Sequence, residues 1–186
     1  IDFSKCIVQE GDIEPVPFSF ITKKLNYDLG IMISASHNPY KDNGVKIFDK
    51  KGEKLCDNDE LKIEKNINLT KQNHTQLLKF EKKKVSFSEY EKFILDRFSV
   101  LKKFNKKILL DCANGSLSEI APKILGKLNL NFECYGVKPN GKNINKNCGA
   151  TFPLEISNKT LKEEADIGIS FDGDADRVIF CDEKGR

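Results

Sequence analysis

The sequence predicts an α/β protein whose sheets are mostly parallel and covered by helices on both faces. One observation predicts the fold class, and a second predicts its division into two domains. First, short apolar runs of strand length alternate along the chain with stretches whose apolar residues recur at helical intervals. The alternation is interrupted by residues 68–84, a polar stretch ending in three lysines that has the composition of a linker. We therefore predict one domain over residues 1–84 and a second over residues 85–186.

In the first predicted domain, the pattern indicates two helices and two strands. Residues 15–25, PVPFSFITKKL, begin with proline and place apolar residues on one face, as a helix does. The apolar runs at residues 30–34 and 45–48 have the length of strands. Residues 57–68 start with acidic residues and then repeat apolar ones at helical spacing, which predicts a surface helix.

The second predicted domain starts with a helical pattern over residues 87–101. Strands and helices then alternate, and the domain closes with two strands around a tight acidic turn. The predicted strands are residues 107–112, 131–137, 165–171 and 177–182, and the predicted helices are residues 117–128 and 154–165. This order predicts a mostly parallel sheet between two layers of helices.

The composition excludes several classes of protein. Hydrophobic residues make up 39% and charged residues 32%, as in a globular protein. No apolar run approaches the ~20 residues of a membrane helix, and the lysines behind the +3 net charge are not interleaved with aromatic residues. We therefore expect neither a membrane nor a nucleic acid as partner. Six cysteines without a CxxC pair predict a reduced, cytoplasmic protein.

The acidic turn FDGDADR is the first candidate functional site. Asp172, Asp174 and Asp176 alternate along it, so an extended backbone would place their carboxylates on one side. Oxygen ligands without nearby His or Cys suit a hard cation such as Mg²⁺. An EF-hand also begins D-x-D-x-D, but Arg177 stands where its loop requires glycine and the flanks read as strands. A purely structural acidic turn is the other alternative.

The loop SASHNP, residues 34–39, is the second candidate site. A serine hydroxyl is a poor nucleophile without a base or metal, and Ser36 lies at the carboxyl end of a predicted strand, where reactive loops are found. His37 can exchange protons near neutral pH, and Lys46 can stabilise the charge of a transferring phosphoryl group. A polar loop with a satisfied histidine explains the same residues. At this level both interpretations are open.

Three stretches resemble the α-D-phosphohexomutase family: ISASHNPYKDNGVKIF, LLDCANGS and ADIGISFDGDADRV, in the order the family has them. The resemblance covers nearly all 186 residues. It implies two three-layer α/β/α domains with mostly parallel mixed sheets. The first domain would be incomplete, because the likeness begins partway through the first domain of the family.

The resemblance also implies roles for the candidate residues. Ser36 would carry the phosphoryl group, and Arg177 would contact that group. His37 and Lys46 would serve proton transfer and charge stabilisation around it. One Mg²⁺ would be held by the phosphoserine oxygen together with three carboxylates, those of Asp172, Asp174 and Asp176.

Residues 139–151, PNGKNINKNCGAT, resemble the loop of the phosphoglucosamine mutase branch of the family. That likeness implies a phosphosugar partner: glucosamine 6-phosphate, converted to glucosamine 1-phosphate through glucosamine 1,6-bisphosphate, toward UDP-N-acetylglucosamine. The phosphomannomutase/phosphoglucomutase branch is the alternative. A homodimer of the full-length protein is compatible with the resemblance.

The sequence also departs from the family pattern. The usual Pro-Thr-Pro is Pro15-Val16-Pro17 here, and the sugar- and phosphate-reading loops of the third and fourth domains fall outside these residues. We therefore expect the 186-residue piece alone to be inactive. Two other classes compete: a non-catalytic folding or binding module, and a phosphatase with an aspartyl nucleophile.

Overall fold

The structure is a computed structural model that describes residues 6–10, 15–34, 36–69 and 88–186. Seven strands, five α-helices and one 3₁₀ turn follow one another in these ranges. In chain order they are β1 (Cys6–Glu10), α1 (Pro15–Lys24), β2 (Leu29–Ile33), β3 (Val45–Asp49), α2 (Asp57–Leu69), α3 (Ser88–Arg97), the 3₁₀ turn (Ser99–Lys103), β4 (Ile108–Asp111), α4 (Leu117–Lys127), β5 (Phe132–Tyr135), α5 (Pro153–Lys162), β6 (Ile167–Phe171) and β7 (Val178–Asp182).

The predicted α/β class is confirmed, and most predicted elements are present within one or two residues of their expected bounds. Three differ. Helix α3 ends at Arg97 and gives way to the 3₁₀ turn, whereas one helix was expected to residue 101. Helix α5 ends at Lys162, three residues before its expected end, and β1 was not predicted because its apolar run is only three residues long. Most of the expected linker, and the expected boundary near residue 84, lie outside the described residues.

The first sheet has the strand order β1-β2-β3. Strand β1 runs parallel to β2, and β3 returns antiparallel to it, with Met32 opposite Lys46. Helix α1 covers this sheet because Phe18 and Ile21, both almost fully buried, pack on the buried Met32 and Phe48. The loop between β2 and β3 emerges from the carboxyl end of β2, which places the second candidate site at the edge of the sheet.

The second sheet has the order β5-β4-β6-β7, in which only β7 is antiparallel. Alternate residues of the buried strand β4 face opposite sides. Leu109 packs with Ile156 of α5, whereas Ile108 packs with Leu128 at the end of α4. The sheet is therefore the middle layer of an α/β/α sandwich, and the loops after β4 and β6 open at the same edge.

Helix α3 connects the helical layers of the two sheets. On one side, the Tyr90 and Phe93 rings lie 5.6 Å and 5.4 Å from the Phe20 ring of α1. On the other side, the buried Glu91 carboxylate accepts ion pairs from Lys123 and Lys127 of α4. These contacts hold α3 against α1, which covers the first sheet, and against α4, which covers the second.

We expect Glu91→Gln to lower the free energy of unfolding by about 1.5–3 kcal/mol at pH 7, because a buried charge-assisted interaction is lost. The hydrogen bond from Lys123 and, to a smaller extent, the one from Lys127 hold the pKa of Glu91 below its usual value. A lowered folded-state pKa stabilises the protein above the unfolded pKa of ~4.3. That contribution disappears as pH falls through the folded-state pKa.

Urea unfolding of both variants across pH 3–7 would check this expectation. The gap between wild type and Glu91→Gln should be full near neutral pH and close as the solution is acidified. Glu89→Gln is the matched control, because that carboxylate is 60% exposed on the same helix and lies 3.8 Å from Lys24. We expect it to change stability by less than ~0.5 kcal/mol. An equal effect of both substitutions would contradict the role given to Glu91.

Two further findings concern cysteines and membranes. All the cysteines whose side chains are described are free thiols: Cys56, Cys112, Cys134, Cys148 and Cys181. None of the helices in the described ranges combines the length and the hydrophobicity needed to span a bilayer.

Candidate active site

Two loops from different sheets meet at the site. The reactive loop, defined as residue 34 together with residues 36–44, follows β2 and is closed at its base by a 3.0 Å hydrogen bond from the Ser34 N–H to the Gly44 carbonyl. The acidic loop, residues 172–177, joins β6 to β7. Ser36 adopts a left-handed conformation with φ of +54°, which is uncommon for a residue other than glycine. This conformation marks the reactive loop as a segment held by its surroundings.

The Ser36 hydroxyl lies directly on the acidic loop. Its Oγ is 3.1 Å from Asp172 Oδ2 and 2.9 Å from Asp174 Oδ1. The Ser34 hydroxyl donates to Asp174 Oδ2 at 3.2 Å and accepts the Ser36 N–H at 3.1 Å. The structure therefore brings together a serine and two aspartates that are 136 and 138 residues apart in the chain.

The three aspartates form one cluster, with a carboxylate oxygen of each within 4.8 Å of the others. Asp172 and Asp174 are almost fully buried, whereas Asp176 is exposed. The backbone N–H of Arg177 donates to Asp172 Oδ1 at 3.2 Å and closes the turn. A set of converging carboxylate oxygens, two of them buried, fits a hard divalent cation.

The pKa values of the buried pair move in opposite directions. Burial raises the pKa of Asp172, and the charges of Asp174 and Asp176 raise it further against the Arg177 N–H. Burial acts on Asp174 in the same sense, but the hydrogen bond and charge of Lys46 outweigh it and leave that pKa below its usual value. Asp172 thus has like charges beside it, and a bound cation would relieve their repulsion.

Lys46 reaches the cluster from β3 of the first sheet. Its Nζ donates to Asp174 Oδ2 at 2.5 Å and to Asp176 Oδ2 at 3.3 Å. Burial would lower the pKa of Lys46, but the bonds and charges of these two carboxylates raise it above the usual value. The Lys46 ammonium is therefore charged at neutral pH and lies beside Asp174, the carboxylate that also accepts a hydrogen bond from the Ser36 hydroxyl.

The other two predicted site residues are placed less directly. His37 is half-buried next to Ser36, and its Nδ1 finds no hydrogen-bond partner among the described residues. The Arg177 side chain is exposed, and its Nε lies 3.8 Å from Asp176 Oδ1. The acidic turn therefore brings Arg177 to the rim of the cluster, where, among the described residues, it forms an ion pair with Asp176.

The turn between β4 and α4 packs against the backbone of the acidic loop. The Ser116 N–H, in the turn between β4 and α4, donates to the Gly173 carbonyl at 2.8 Å. A Cβ on Gly115 would lie 2.2 Å from that same carbonyl oxygen, and a Cβ on Gly173 would lie 2.7 Å from the Ser36 carbonyl. Both positions require glycine because three backbones approach one another here.

Sequence reasoning missed two residues with contacts in this site, Ser34 and Asn145. Ser34 had an available signal, since it is a second hydroxyl residue in the loop SASHNP, two positions from the candidate Ser36. Asn145 donates to the reactive loop from residues 139–151. That stretch was noticed only for its resemblance to one branch of a family, which says nothing about contacts.

Comparison with known proteins identifies the family. The profile of phosphoglucomutase/phosphomannomutase α/β/α domain I matches residues 5–74, and that of α/β/α domain II matches residues 88–185, more than half of the chain. The chain belongs to the phosphoglucomutase/phosphomannomutase family. The resemblance to α-D-phosphohexomutases seen in the sequence is thereby confirmed.

Relatives within this family are similar along most of the chain. A phosphoglucosamine mutase of Chlamydia abortus is 42% identical over 183 residues, which are 95% of this chain and 40% of the relative. The chain thus spans about two fifths of the length of such relatives. A crystal structure of a putative phosphomannomutase from Thermus thermophilus superposes with a TM-score of 0.78 at 20% identity, covering 97% of this chain and 42% of that one.

A second solved structure is that of Aspergillus fumigatus N-acetylphosphoglucosamine mutase in complex with GlcNAc-6P and magnesium. It has a TM-score of 0.58 at 18% identity, covering 92% of this chain and 47% of that one. At such identities both solved structures show that the family fold is shared.

Proposed function

We propose that the intact protein is a phosphoglucosamine mutase that interconverts glucosamine 6-phosphate and glucosamine 1-phosphate. The observation that carries the proposal is the contact of the Ser36 hydroxyl with Asp172 and Asp174, at 3.1 Å and 2.9 Å. It puts a group able to carry phosphate against a cluster able to hold a cation. The choice of glucosamine is supported by the 42% identical relative of that name.

The reaction consists of two phosphoryl transfers. In the first, the bond between phosphorus and Oγ of phosphorylated Ser36 breaks, and a bond forms between phosphorus and the free hydroxyl oxygen of the sugar phosphate. The proton of that hydroxyl ends on Ser36 Oγ, so the products are glucosamine 1,6-bisphosphate and free serine. The second transfer runs the same exchange in reverse with the phosphoryl group at the other end of the sugar.

Mg²⁺ is the cofactor that fits the acidic cluster, with the phosphoserine oxygen as a further ligand. The carboxylates that would hold it are Asp172, Asp174 and Asp176, whose oxygens lie within 4.8 Å of one another. When bound, the ion supplies positive charge to a phosphoryl group that becomes more negative at its edges during transfer. A solved relative of this fold contains magnesium together with a sugar phosphate.

The basic residues of the site have separate tasks in this proposal. Lys46, kept protonated by its carboxylate partners, contributes positive charge to the transferring group. Arg177 at the rim has the planar fork that binds phosphate oxygens in pairs. His37, adjacent to Ser36 with Nδ1 unpaired among the described residues, carries the proton between the sugar hydroxyl and Oγ.

The same proposal covers the environment of the protein. The free thiols of the described cysteines suit the reducing cytoplasm, and the product would feed synthesis of UDP-N-acetylglucosamine there. A phosphosugar is the partner that the site needs. A homodimer of the intact protein, and a boundary between its first two domains near residue 84, stay predictions.

The test is an assay of the intact protein with Mg²⁺, a bisphosphate primer and three substrates: glucosamine, glucose and mannose 6-phosphates. We expect kcat/KM for glucosamine 6-phosphate to exceed the other two by at least about tenfold, since a site that accepts a hydrogen bond from the charged 2-ammonium loses that charge-assisted bond when the sugar carries a 2-hydroxyl. A preference for mannose or glucose would move the protein to the other branch of the family. No turnover of any of the three would refute a mutase.

A further inference from the structure

Asn145 ties the loop at residues 139–151 to the reactive loop. Its side chain is buried, with 6% of the residue exposed. Nδ2 donates to the Ser36 carbonyl at 2.9 Å and to the Asn38 carbonyl at 3.4 Å. The Asn145 N–H donates to the Ala113 carbonyl at 2.9 Å, in the turn after β4. One residue thus connects the second sheet to the backbone on both sides of His37.

The reactive loop needs such a support. Ser36 is left-handed, a conformation that is unfavourable by roughly 1–2 kcal/mol for a residue with a Cβ. Its hydroxyl contacts Asp172 and Asp174 of the acidic loop, while its carbonyl accepts a hydrogen bond from Asn145 Nδ2. A carboxamide suits this position because it supplies two N–H donors to two carbonyls, which a carboxylate cannot.

The Asn145 side chain is also tightly packed against Gly173. A Cβ on Gly173 would come within 2.7 Å of Asn145 Nδ2 and equally close to the Ser36 carbonyl oxygen. Asn145 therefore lies in a narrow gap between the acidic loop and the reactive loop, where both backbones limit its side chain.

We propose that Asn145 is a positioning residue for phosphoryl transfer, holding the carbonyls of Ser36 and Asn38 so that Ser36 Oγ stays on Asp172 and Asp174. This inference rests on the proposed function. Asn145 touches no reacting atom, so its loss acts through the placement of the nucleophile. Such a loss lowers kcat and leaves KM for the sugar phosphate nearly unchanged. A residue that only docked the two domains would change stability instead.

The chain offers a closely matched control. Asn147 lies in the same loop, has φ of +54° against +55° for Asn145, and is exposed, and its side chain makes no hydrogen bond with any described residue. Asn145→Ala and Asn147→Ala therefore introduce the same backbone strain, and only the first removes the contact with Ser36. Asn145→Asp keeps the volume of the side chain and removes its N–H donors.

In steady-state assays of the intact protein, Asn145→Ala is expected to lower kcat by about 100-fold with KM changed less than about threefold. Asn145→Asp should lose at least as much, and Asn147→Ala should stay within about threefold of wild type in kcat. A kcat of Asn145→Ala within threefold of wild type, or an equal loss in Asn147→Ala, would overturn the proposal.

A second measurement does not depend on activity. Amide hydrogen exchange of residues 36–43 should be about tenfold faster in Asn145→Ala than in wild type or Asn147→Ala, while β6 and β7 are unchanged. If wild type converts none of the sugar phosphates, the proposed function fails and the exchange rates alone decide. Unchanged exchange in Asn145→Ala would refute the positioning role.

Discussion

Ser36→Ala is expected to lower mutase activity of the intact protein by at least about 10⁴-fold, because no oxygen is left to carry the phosphoryl group. The fold should be nearly unaffected. The hydroxyl donates to Asp172 and Asp174 but fills no core, and alanine keeps the Cβ that the loop already accommodates. The measurements are the rate of glucosamine 1-phosphate formation and the unfolding temperature of the same sample.

Ser34→Ala is the control for this prediction. Ser34 also donates to Asp174 and lies two residues away, so the variant removes a hydroxyl from the same carboxylate. It also removes the acceptor of the Ser36 N–H. We therefore expect Ser34→Ala to lower mutase activity by about tenfold or less. Mass spectrometry should find phosphate on Ser36 in wild type and Ser34→Ala. Near-normal turnover by Ser36→Ala would exclude a phosphoserine route through this position.

Asp174→Asn is expected to weaken Mg²⁺ binding on the order of 10²- to 10³-fold, because affinity for hard cations depends on the number of charged ligands. The amide has nearly the shape of the carboxylate, so the loop can keep its path. Lys46 loses its nearest counter-charge at the same time, which leaves an ammonium partly buried without its 2.5 Å partner. Isothermal titration with Mg²⁺ measures the affinity, and mutase activity at saturating Mg²⁺ separates binding from chemistry.

Asp182→Asn provides the comparison for the metal site. Asp182 ends β7, only ten positions after Asp172, and binds Arg186 instead of the cluster. The substitution changes net charge by the same amount, so a general electrostatic effect would appear in both variants. We expect Mg²⁺ affinity within about twofold of wild type for Asp182→Asn. If Asp174→Asn binds Mg²⁺ as tightly as Asp182→Asn does, the acidic cluster is a structural turn.

Local patterns predicted the fold well wherever one face of an element is buried. Phe18 and Ile21 recur on one side of α1, and buried β4 is a continuous apolar run, so both were visible in the sequence. Strand β1 was missed because its apolar run is only three residues long and its pairing with β2 leaves no signal in the local sequence. Helix α3 stops early, at a 3₁₀ turn in which Val100 is 71% exposed. Its apolar spacing continued beyond the residues that are actually packed.

The candidate site divides in the same way. Asp172, Asp174 and Asp176 stand close in the chain, so their spacing alone indicated a cluster. Ser36 and the cluster are separated by more than 130 residues, and in the sequence only the family resemblance relates them. The role of Asn145 could not be predicted from the sequence. It depends on the left-handed backbone of Ser36 and on the direction of the Ser36 carbonyl, and residue types do not reveal either.

Helix α3 makes one side of the cleft stiff. Separating the two sheets on that side would break either the ring contacts of Phe20 with α3 or the ion pairs of Glu91 with α4. Donor oxygen and carboxylates are then preassembled before any sugar arrives, so the chemical step requires little rearrangement of the protein. In the proposed reaction, the bisphosphate would then have to reorient between the two transfers, because α3 limits how far the two sheets can move apart.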